Sequence, residues 1–260
     1  MRTGLVLKYI GAVLLIVSTF MLLSAGVSWL NGMDSGFTPL MLSCVLTAIL
    51  GAFPLIFVRC KEQINAKEGY CIVTGAWLLA CLVGTFPYLL YGGEFNFINA
   101  WFESVSGFTT TGSTILTNVE ALPDGLLFWR SLTHWIGGVG VVLFALMILP
   151  SLGKTRTTLY SVELSSFAKD NFHFQTQKII RVLLTVYIGL TACCTVLLKI
   201  VGMDWFDAVN HSFASIATGG FSTKNASIAE YDNFGIEAIL TLFCFLSGLH
   251  FGLIYSTFTG

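Results

Sequence analysis

Six long apolar stretches alternate with short polar turns along the chain. Each stretch is close to the length that a helix needs to cross a bilayer, about 20 residues. The pattern therefore predicts six membrane-spanning helices. Their approximate bounds are Leu5–Leu30, Thr38–Val58, Tyr70–Tyr91, Leu126–Leu149, Ile179–Val201 and Ile236–Phe258.

Composition and charge support a chain that faces lipid. Charged residues make up 10% of the 260 residues and apolar residues 55%, whereas a soluble domain carries about 25% charged residues. The formal net charge of −1 argues against a nucleic-acid partner, because nucleic-acid binding needs a basic face. Most basic residues lie in the loops on one side of the predicted spans, which makes that side cytoplasmic. Six crossings then place both ends of the chain in the cytoplasm.

Two shorter segments, residues 97–114 and 205–222, repeat at an ungapped shift of 108 positions. Each lies between two long apolar stretches. Each begins with a moderately apolar run too short to cross a bilayer and ends in Thr and Gly. The matching pairs are Ala100 with Ala208, Ser104 with Ser212, Thr110 with Thr218, and Gly112 with Gly220.

The repeated pattern predicts a half-membrane helix that enters from the outer side and returns as non-helical backbone. Asn99 and Asp207 are the predicted N-caps. The C-terminal end of such a helix favours a cation. Non-helical backbone at membrane depth survives only where it is buried or lines a watery path. The alternative is an ordinary external loop with turn glycines.

Backbone carbonyls in the two return segments are therefore predicted to replace the water around a potassium ion, as in a selectivity filter. Glycine suits this role because it tolerates positive φ and adds no side chain to a narrow path. The predicted filter residues are Thr110, Thr111, Gly112, Thr218, Gly219 and Gly220.

Neighbouring residues are candidates for supporting that backbone, namely Ser113, Phe221, Glu103 and His211. Glu103 and His211 occupy matching positions in the two segments. Two interpretations remain for them: a buried side chain that supports the filter, or exposure to an outer vestibule. For Arg130, snorkelling to lipid headgroups is favoured over bracing the filter. His134 is predicted to be a packing or hydrogen-bonding residue. The run Gly137–Gly140 is predicted to allow close helix packing, because no strand precedes it as dinucleotide binding would require.

At these residues the chain resembles the membrane subunit of Trk-type bacterial potassium uptake systems, the TrkH family. The resembling segments are residues 107–114, 129–140 and 211–223 and the connector around 159–163. The resemblance implies a two-helix N-terminal unit followed by four helix–pore-loop–helix repeats around one pore. It also implies a homodimer in the bacterial cytoplasmic (inner) membrane, gated by a cytosolic nucleotide-binding ring of the TrkA type.

The expected fold is an all-α polytopic membrane protein with six transmembrane helices and two re-entrant half-helix pore loops. Because only two of the family's four repeats are present, we expect the N-terminal portion of a longer chain, with an assembly of two copies as the alternative. The expected divisions are a two-helix unit at 1–66, a first repeat at 67–153, a cytoplasmic connector at 154–178 and a second repeat at 179–260.

The predicted function is potassium uptake, with the potassium ion as substrate and no organic cofactor. An ion-coupled secondary transporter is one alternative, although the spans hold almost none of the ionisable groups that such transporters use. A non-conducting truncated remnant is another. An enzyme is not expected, since the sequence lacks HExxH, GxSxG and paired intramembrane aspartates.

Overall fold

The computed structural model of the chain describes residues 2–58, 65–153 and 166–249, with side chains described except at residues 66, 141–153 and 166–179. The secondary structure in these ranges is helical. The helices are α1 (Thr3–Leu30), α2 (Phe37–Phe57), α3 (Ala66–Gly84), α4 (Phe86–Tyr91), α5 (Phe97–Phe108), α6 (Asp124–Gly153), α7 (Ser166–Ile200), α8 (Trp205–Ile216) and α9 (Phe234–Ser247). Short 3-10 turns lie at Val119–Ala121 and Ser227–Tyr231.

The long helices coincide with the predicted apolar stretches. Four segments of the described chain are long and apolar enough to cross a membrane, namely Thr3–Leu30, Phe37–Phe57, Lys67–Tyr91 and Ile180–Ile200. α6 is helical over 30 residues. α9 is a shorter apolar helix of 14 residues, and the end of the sixth predicted stretch lies outside the described residues.

Two helix boundaries differ from the prediction. α7 begins at Ser166, so the last part of the predicted connector is helical, because a helix need not be apolar where it leaves a bilayer. The rest of that connector, including residues 159–163, lies outside the described residues. The third predicted stretch is divided at Thr85 into α3 and α4, and Pro87 lies in the first turn of α4, where a missing amide costs no helix bond.

Close backbone contact holds the N-terminal pair together. Gly11 of α1 and Gly51 of α2 face each other, and a Cβ added to Gly51 would lie 2.8 Å from the Gly11 carbonyl oxygen. Small residues of this kind let membrane helices approach closely. On the outer sides of the helices, large apolar side chains such as Phe53, Ile56 and Phe245 are exposed. Their exposure fits a protein surrounded by lipid rather than water.

Two apolar clusters place the short helices. One gathers buried side chains of α1 to α6, including Ala100 and Phe108 of α5. The other gathers side chains of α7, α8 and α9, including Ala208 and Ile216 of α8. α6 contacts both α5 and α8. It therefore lies between the two copies of the repeated segment.

Candidate functional site

α5 and α8 are two copies of one short helix. Each has 12 residues, and their bounds differ by the shift of 108 seen in the sequence. Ala100 and Ala208 are both fully buried. The matching serines anchor each helix to the long helix before it, because Ser104 Oγ donates to the Cys81 carbonyl at 2.6 Å and Ser212 Oγ lies 2.6 Å from Thr195 Oγ1.

The predicted N-caps are wrong by one turn. α5 is capped by Asn96, whose Oδ1 accepts the Asn99 amide at 2.9 Å, and the N-cap position of α8 is Asp204. Asn99 and Asp207 lie three residues further on, inside the first turn. The sequence offered a cap-forming residue at both positions, and the true cap precedes apolar residues that stand exposed in the first turn.

Both short helices end in the same hydrogen-bond pattern. The first amide after the C-cap donates to the carbonyl three residues before it, and the next amide donates to the carbonyl five residues before it. This is the Schellman arrangement. The four donors are Thr110 and Thr111 after α5 and Thr218 and Gly219 after α8, with distances of 2.8–3.0 Å.

Threonine occupies the left-handed position of both motifs. Thr110 has φ 54° and Thr218 has φ 52°. Glycine usually takes this position, and a β-branched residue with positive φ is a conformational outlier. Such strain costs on the order of 1–3 kcal/mol per residue and concentrates at functional sites. The paired outliers therefore mark these two helix ends as sites where backbone shape matters.

The segments that follow the helix ends lie against each other. Gly112 and Gly220, at matching positions, both have positive φ, 77° and 97°. A Cβ added to Gly112 would overlap the carbonyl group of Gly219, whereas a Cβ added to Gly220 would meet nothing within 4 Å. The positive φ expected of the filter glycines is thus present at these two positions, and the two segments meet backbone to backbone.

In the described part of the chain, the carbonyl groups of the six predicted filter residues have no protein hydrogen-bond donor. Within residues 2–58, 65–153 and 166–249, none of the carbonyl oxygens of Thr110–Gly112 and Thr218–Gly220 accepts a hydrogen bond. The residues themselves are exposed or half-buried. Carbonyl oxygens that no protein donor occupies can accept hydrogen bonds from water or coordinate a cation.

α6 supports both helix ends at adjacent glycines near its middle. A Cβ on Gly137 would overlap the carbonyl of Phe108, the last residue of α5. A Cβ on Gly138 would lie 3.1 Å from the Cβ of Ala217, the C-cap of α8. Close packing, as predicted for this glycine run, is therefore what the structure shows. The short helices extend only to the halfway point of a membrane-length helix.

A buried ion pair lies behind the first segment. Arg130 Nε donates to Glu103 Oε1 at 2.8 Å, and the two side chains are 1% and 0% exposed. Glu103 also accepts the Thr114 hydroxyl at 2.9 Å and the Ile115 amide at 3.2 Å. The snorkelling interpretation of Arg130 is wrong, because its charge finds a carboxylate inside the protein. Exposure of Glu103 to a vestibule is likewise excluded by its burial.

Arg130 also reaches the second segment. Its Nη1 donates to the Ser222 carbonyl at 3.2 Å, and its guanidinium carbon lies 4.2 Å from the centre of the Phe221 ring. The Phe221 ring stacks on His134 with centres 4.1 Å apart. His134 is fully buried, as a packing residue should be. Its ring occupies the place that a Cβ on Gly219 would need.

The remaining predicted support residues contact their neighbours in other ways. His211 is buried, with Nε2 3.2 Å from the Tyr231 hydroxyl. Burial and the Asp207 carboxylate raise the pKa of Tyr231, so its hydroxyl keeps its proton. Ser113 participates through its backbone, because its carbonyl accepts the Ser106 hydroxyl at 2.6 Å.

A family model described as a cation transport protein, TrkH, matches residues 38–260 of the chain. The chain belongs to the TrkH family. Three of the segments that resemble this family, residues 107–114, 129–140 and 211–223, form the two helix ends, the following segments and the α6 contacts, and the connector around 159–163 lies outside the described residues.

Relatives in this family are named as potassium uptake proteins. The chain is 39% identical over 202 residues to the Trk system potassium uptake protein TrkH of Escherichia coli, a match that covers 77% of this chain and 42% of that protein. It is 34% identical over 257 residues to TrkH of Halomonas elongata, covering 97% of this chain and 53% of that protein. The chain spans about half the length of these relatives.

A solved structure shares the fold. The crystal structure of the potassium transporter TrkH from Vibrio parahaemolyticus superposes with a TM-score of 0.86 at 30% identity. The superposition covers 99% of this chain and 52% of that one. The all-helical membrane architecture of this TrkH-family chain is therefore that of a known transporter over the matched length.

Some residues of the site were missed by sequence reasoning. Thr114 and Ser222, which accept hydrogen bonds from the Arg130 guanidinium, were not singled out. Asn225 was not singled out either. Asn225 bridges the two segments further along, since its Oδ1 accepts the Val119 amide at 2.7 Å and its Nδ2 donates to Asn118 Oδ1 at 2.8 Å. The shift of 108 does place Thr114 opposite Ser222, and that signal would have found this pair.

Proposed function

We propose that this chain contributes two repeats to a pathway for potassium uptake across the bacterial cytoplasmic membrane. The potassium ion is the substrate. The carbonyl oxygens of Thr110–Gly112 and Thr218–Gly220 form part of its selectivity filter. The observation that carries the proposal is the set of six carbonyl oxygens on two adjoining segments that accept no hydrogen bond from any residue the structure describes.

Physical chemistry favours a cation at these oxygens. A dehydrated potassium ion needs carbonyl dipoles in place of its water, and a fixed backbone supplies them without rearrangement. The C-terminal ends of α5 and α8 lead directly into the two segments, so the partial negative charge of each helix end lies beside them. Support residues then hold the carbonyls in place, namely Glu103, Ser113, His211 and Phe221.

We further propose that α5 and α8 are re-entrant half-helices between six membrane crossings. In this arrangement the N-terminal end of α1 lies in the cytoplasm. Their ends at the middle of α6 support this arrangement. The division into residues 1–66, 67–153, 154–178 and 179–260 follows from it. Two further repeats would supply oxygens on the other sides of the ion. A homodimer and a cytosolic nucleotide-binding ring of the TrkA type are the partners that the family resemblance implies.

Substitution of Gly220 by Ser tests the filter. No atom lies within 4 Å of the added Cβ, so the protein should fold, but φ of 97° strains any side-chain-bearing residue. The carbonyl dipoles should then shift, and the preference for potassium over sodium should fall by about tenfold or more, since a misalignment of about 1.4 kcal/mol suffices for that. The measurement is competitive uptake of the two ions in cells that lack other potassium uptake systems.

Gly202 provides the matched control. It also has positive φ, 113°, and open space at its Cβ position, but it lies in the turn between α7 and α8. Gly202→Ser should keep the wild-type ion preference. An unchanged preference in Gly220→Ser, at wild-type protein level in the membrane, would contradict the filter. Fixed co-transport of protons or sodium by the wild type would favour an ion-coupled secondary transporter instead.

A further inference from the structure

We propose that the buried pair of Glu103 and Arg130 is a positioning device that fixes the spacing of the two filter segments and thereby sets ion preference. The inference rests on the proposed function of those segments. Neither side chain touches the ion. Each acts through backbone just beyond Gly112 and Gly220.

On the first segment, the pair holds the chain through Glu103. The carboxylate accepts the Thr114 hydroxyl, at 2.9 Å to one oxygen and 3.0 Å to the other, and the Ile115 amide at 3.2 Å. Thr114 lies two residues after Gly112. The Ser106 hydroxyl meanwhile donates to the Ser113 carbonyl. Side chains of α5 therefore fix the position of the chain immediately after the last predicted filter carbonyl.

On the second segment, the pair holds the chain through Arg130. Nη1 donates to the Ser222 carbonyl at 3.2 Å, two residues after Gly220. The guanidinium also lies over the Phe221 ring at 4.2 Å, a favourable placement for a cation on an aromatic face. Nη2 donates to the Thr114 hydroxyl at 3.3 Å. One guanidinium therefore bonds to both segments at equivalent positions.

The shape of arginine is what this arrangement needs. Nε binds the carboxylate while Nη1 and Nη2 point to two different acceptors. A lysine ammonium keeps the charge but lacks the planar fork. Burying a charge pair adds little net stability compared with apolar residues of similar volume. A fully buried pair that spans two segments is better explained by the geometry that it imposes.

The positions of the second repeat that match Glu103 and Arg130 hold other residues. His211 occupies the position that matches Glu103, and Ala238 lies at the shift of 108 from Arg130. His211 contacts the Tyr231 hydroxyl instead. The pair in the first repeat contacts both segments, which makes it a device between repeats rather than a structural element of each.

The first test replaces Arg130 by Lys in the protein expressed from its own gene in cells without other potassium uptake. The charge on Glu103 stays balanced, so the protein should reach the membrane. Without the bond to the half-buried Ser222 carbonyl, the second segment should shift relative to the first, and the preference for potassium over sodium should fall by about tenfold, which corresponds to about 1.4 kcal/mol. Arg181→Lys, on an exposed position of α7, is the control and should change nothing.

The second test separates position from stability. Glu103→Gln and Arg130→Met as single changes leave a buried charge without a partner, and each should lower the amount of folded protein. The double variant has no unbalanced charge and should restore that amount. It should still show the reduced ion preference, because no group reaches Ser222. A purely structural pair predicts that protein amount and ion preference recover together.

The outcomes separate this inference from the filter itself. Reduced preference in Arg130→Lys and in the double variant supports the inference. Wild-type preference in both variants, with Gly220→Ser impaired, overturns it and leaves the filter in place. Wild-type preference in Gly220→Ser as well overturns both proposals. If neither variant reaches the membrane, the pair is a folding requirement and the positioning role is overturned.

Discussion

The two copies of the repeated segment have matching short helices and helix ends but different side-chain support. α5 and α8 have equal length, equal anchoring serines, matching Schellman ends and matching left-handed threonines. Behind them, the first repeat has a buried Glu103–Arg130 pair. The second has His211 against Tyr231, with Asp207 bonded to the Thr223 hydroxyl at 2.7 Å.

This combination of matching backbone and differing support is what the proposed filter requires. If the carbonyl groups bind the ion, the φ angles and hydrogen bonds at the helix ends must be alike in each repeat, and they are. Side chains behind the backbone need only hold it, which several chemistries can do. Strained threonine, at an energetic cost of about 1–3 kcal/mol, therefore occurs at the same position of both repeats. At the position behind the backbone, by contrast, one repeat has Glu103 and the other His211.

The neighbours of each short helix explain why the supports differ. α6 follows α5 in the chain but lies against both short helices, through Gly137 at α5 and Gly138 at α8. Its N-terminal half also carries Arg130. α9, the corresponding helix of the second repeat, contacts α8, for example where the Ser215 hydroxyl donates to the Leu240 carbonyl at 3.2 Å. α6 therefore has access to two segments, and a forked side chain there can join them.

The largest expected difference between repeats is in the cost of removing a carboxylate. Glu103→Gln leaves Arg130 charged and buried, and should lower the free energy of unfolding by about 3–5 kcal/mol. Asp207→Asn should cost about 1–2 kcal/mol. Its Lys224 partner is 3.7 Å away and one-third exposed, so water stabilises the lysine left behind. Thermal or denaturant unfolding of the detergent-purified proteins measures both.

Equal losses in these two variants would contradict the comparison. They would mean that Asp207 supports the second repeat as strongly as the ion pair supports the first. Ser104→Ala and Ser212→Ala serve as the reference, since both anchors are hydrogen bonds of similar length and should have similar cost.

An intermediate effect is expected from Asn225, which joins the loops that follow the two segments. Asn225→Ala removes the bonds to the Val119 amide and the Asn118 side chain and should cost about 1–2 kcal/mol. Asn118→Ala removes only the second of these bonds and should cost less. Unfolding of the two variants under identical conditions gives the comparison. A larger loss in Asn118→Ala would show that the bridge depends on other contacts.

Much of this architecture could be predicted from the sequence because its signals are local or repeated. The length of the apolar stretches predicts the long helices. The repeat at a shift of 108 positions predicts α5, α8 and the glycines with positive φ. Left-handed Thr110 and Thr218 could not be foreseen, because threonine disfavours that conformation and only tertiary contacts impose it. The start of α7 at Ser166 was also missed, since its first residues lack the apolar signal.

Arg130 shows the limit of such reasoning. A span that is apolar on most sides does not reveal which face meets protein and which meets lipid. The partner Glu103 lies 27 positions earlier on another helix, so neither helical spacing nor a motif connects them. Without knowledge of that contact, snorkelling to lipid headgroups is the simpler explanation for a charge near the end of a span. Long-range pairing is information that the fold supplies.

The smallest expected effect is at the N-caps, where the two repeats differ in a single hydrogen bond. Asn96 Oδ1 accepts the Asn99 amide in α5, whereas the Asp204 side chain makes no such cap bond in α8. Asn96→Ala should therefore lower the free energy of unfolding by about 1 kcal/mol, and Asp204→Ala by a few tenths. Asp204 also lies 3.7 Å from Lys199 at an exposed site, where an ion pair adds little. High salt should leave the Asn96 effect unchanged, because a neutral amide makes the bond. An equal or larger loss in Asp204→Ala that disappears in high salt would show that charge at the helix start, rather than the cap bond, distinguishes the two repeats.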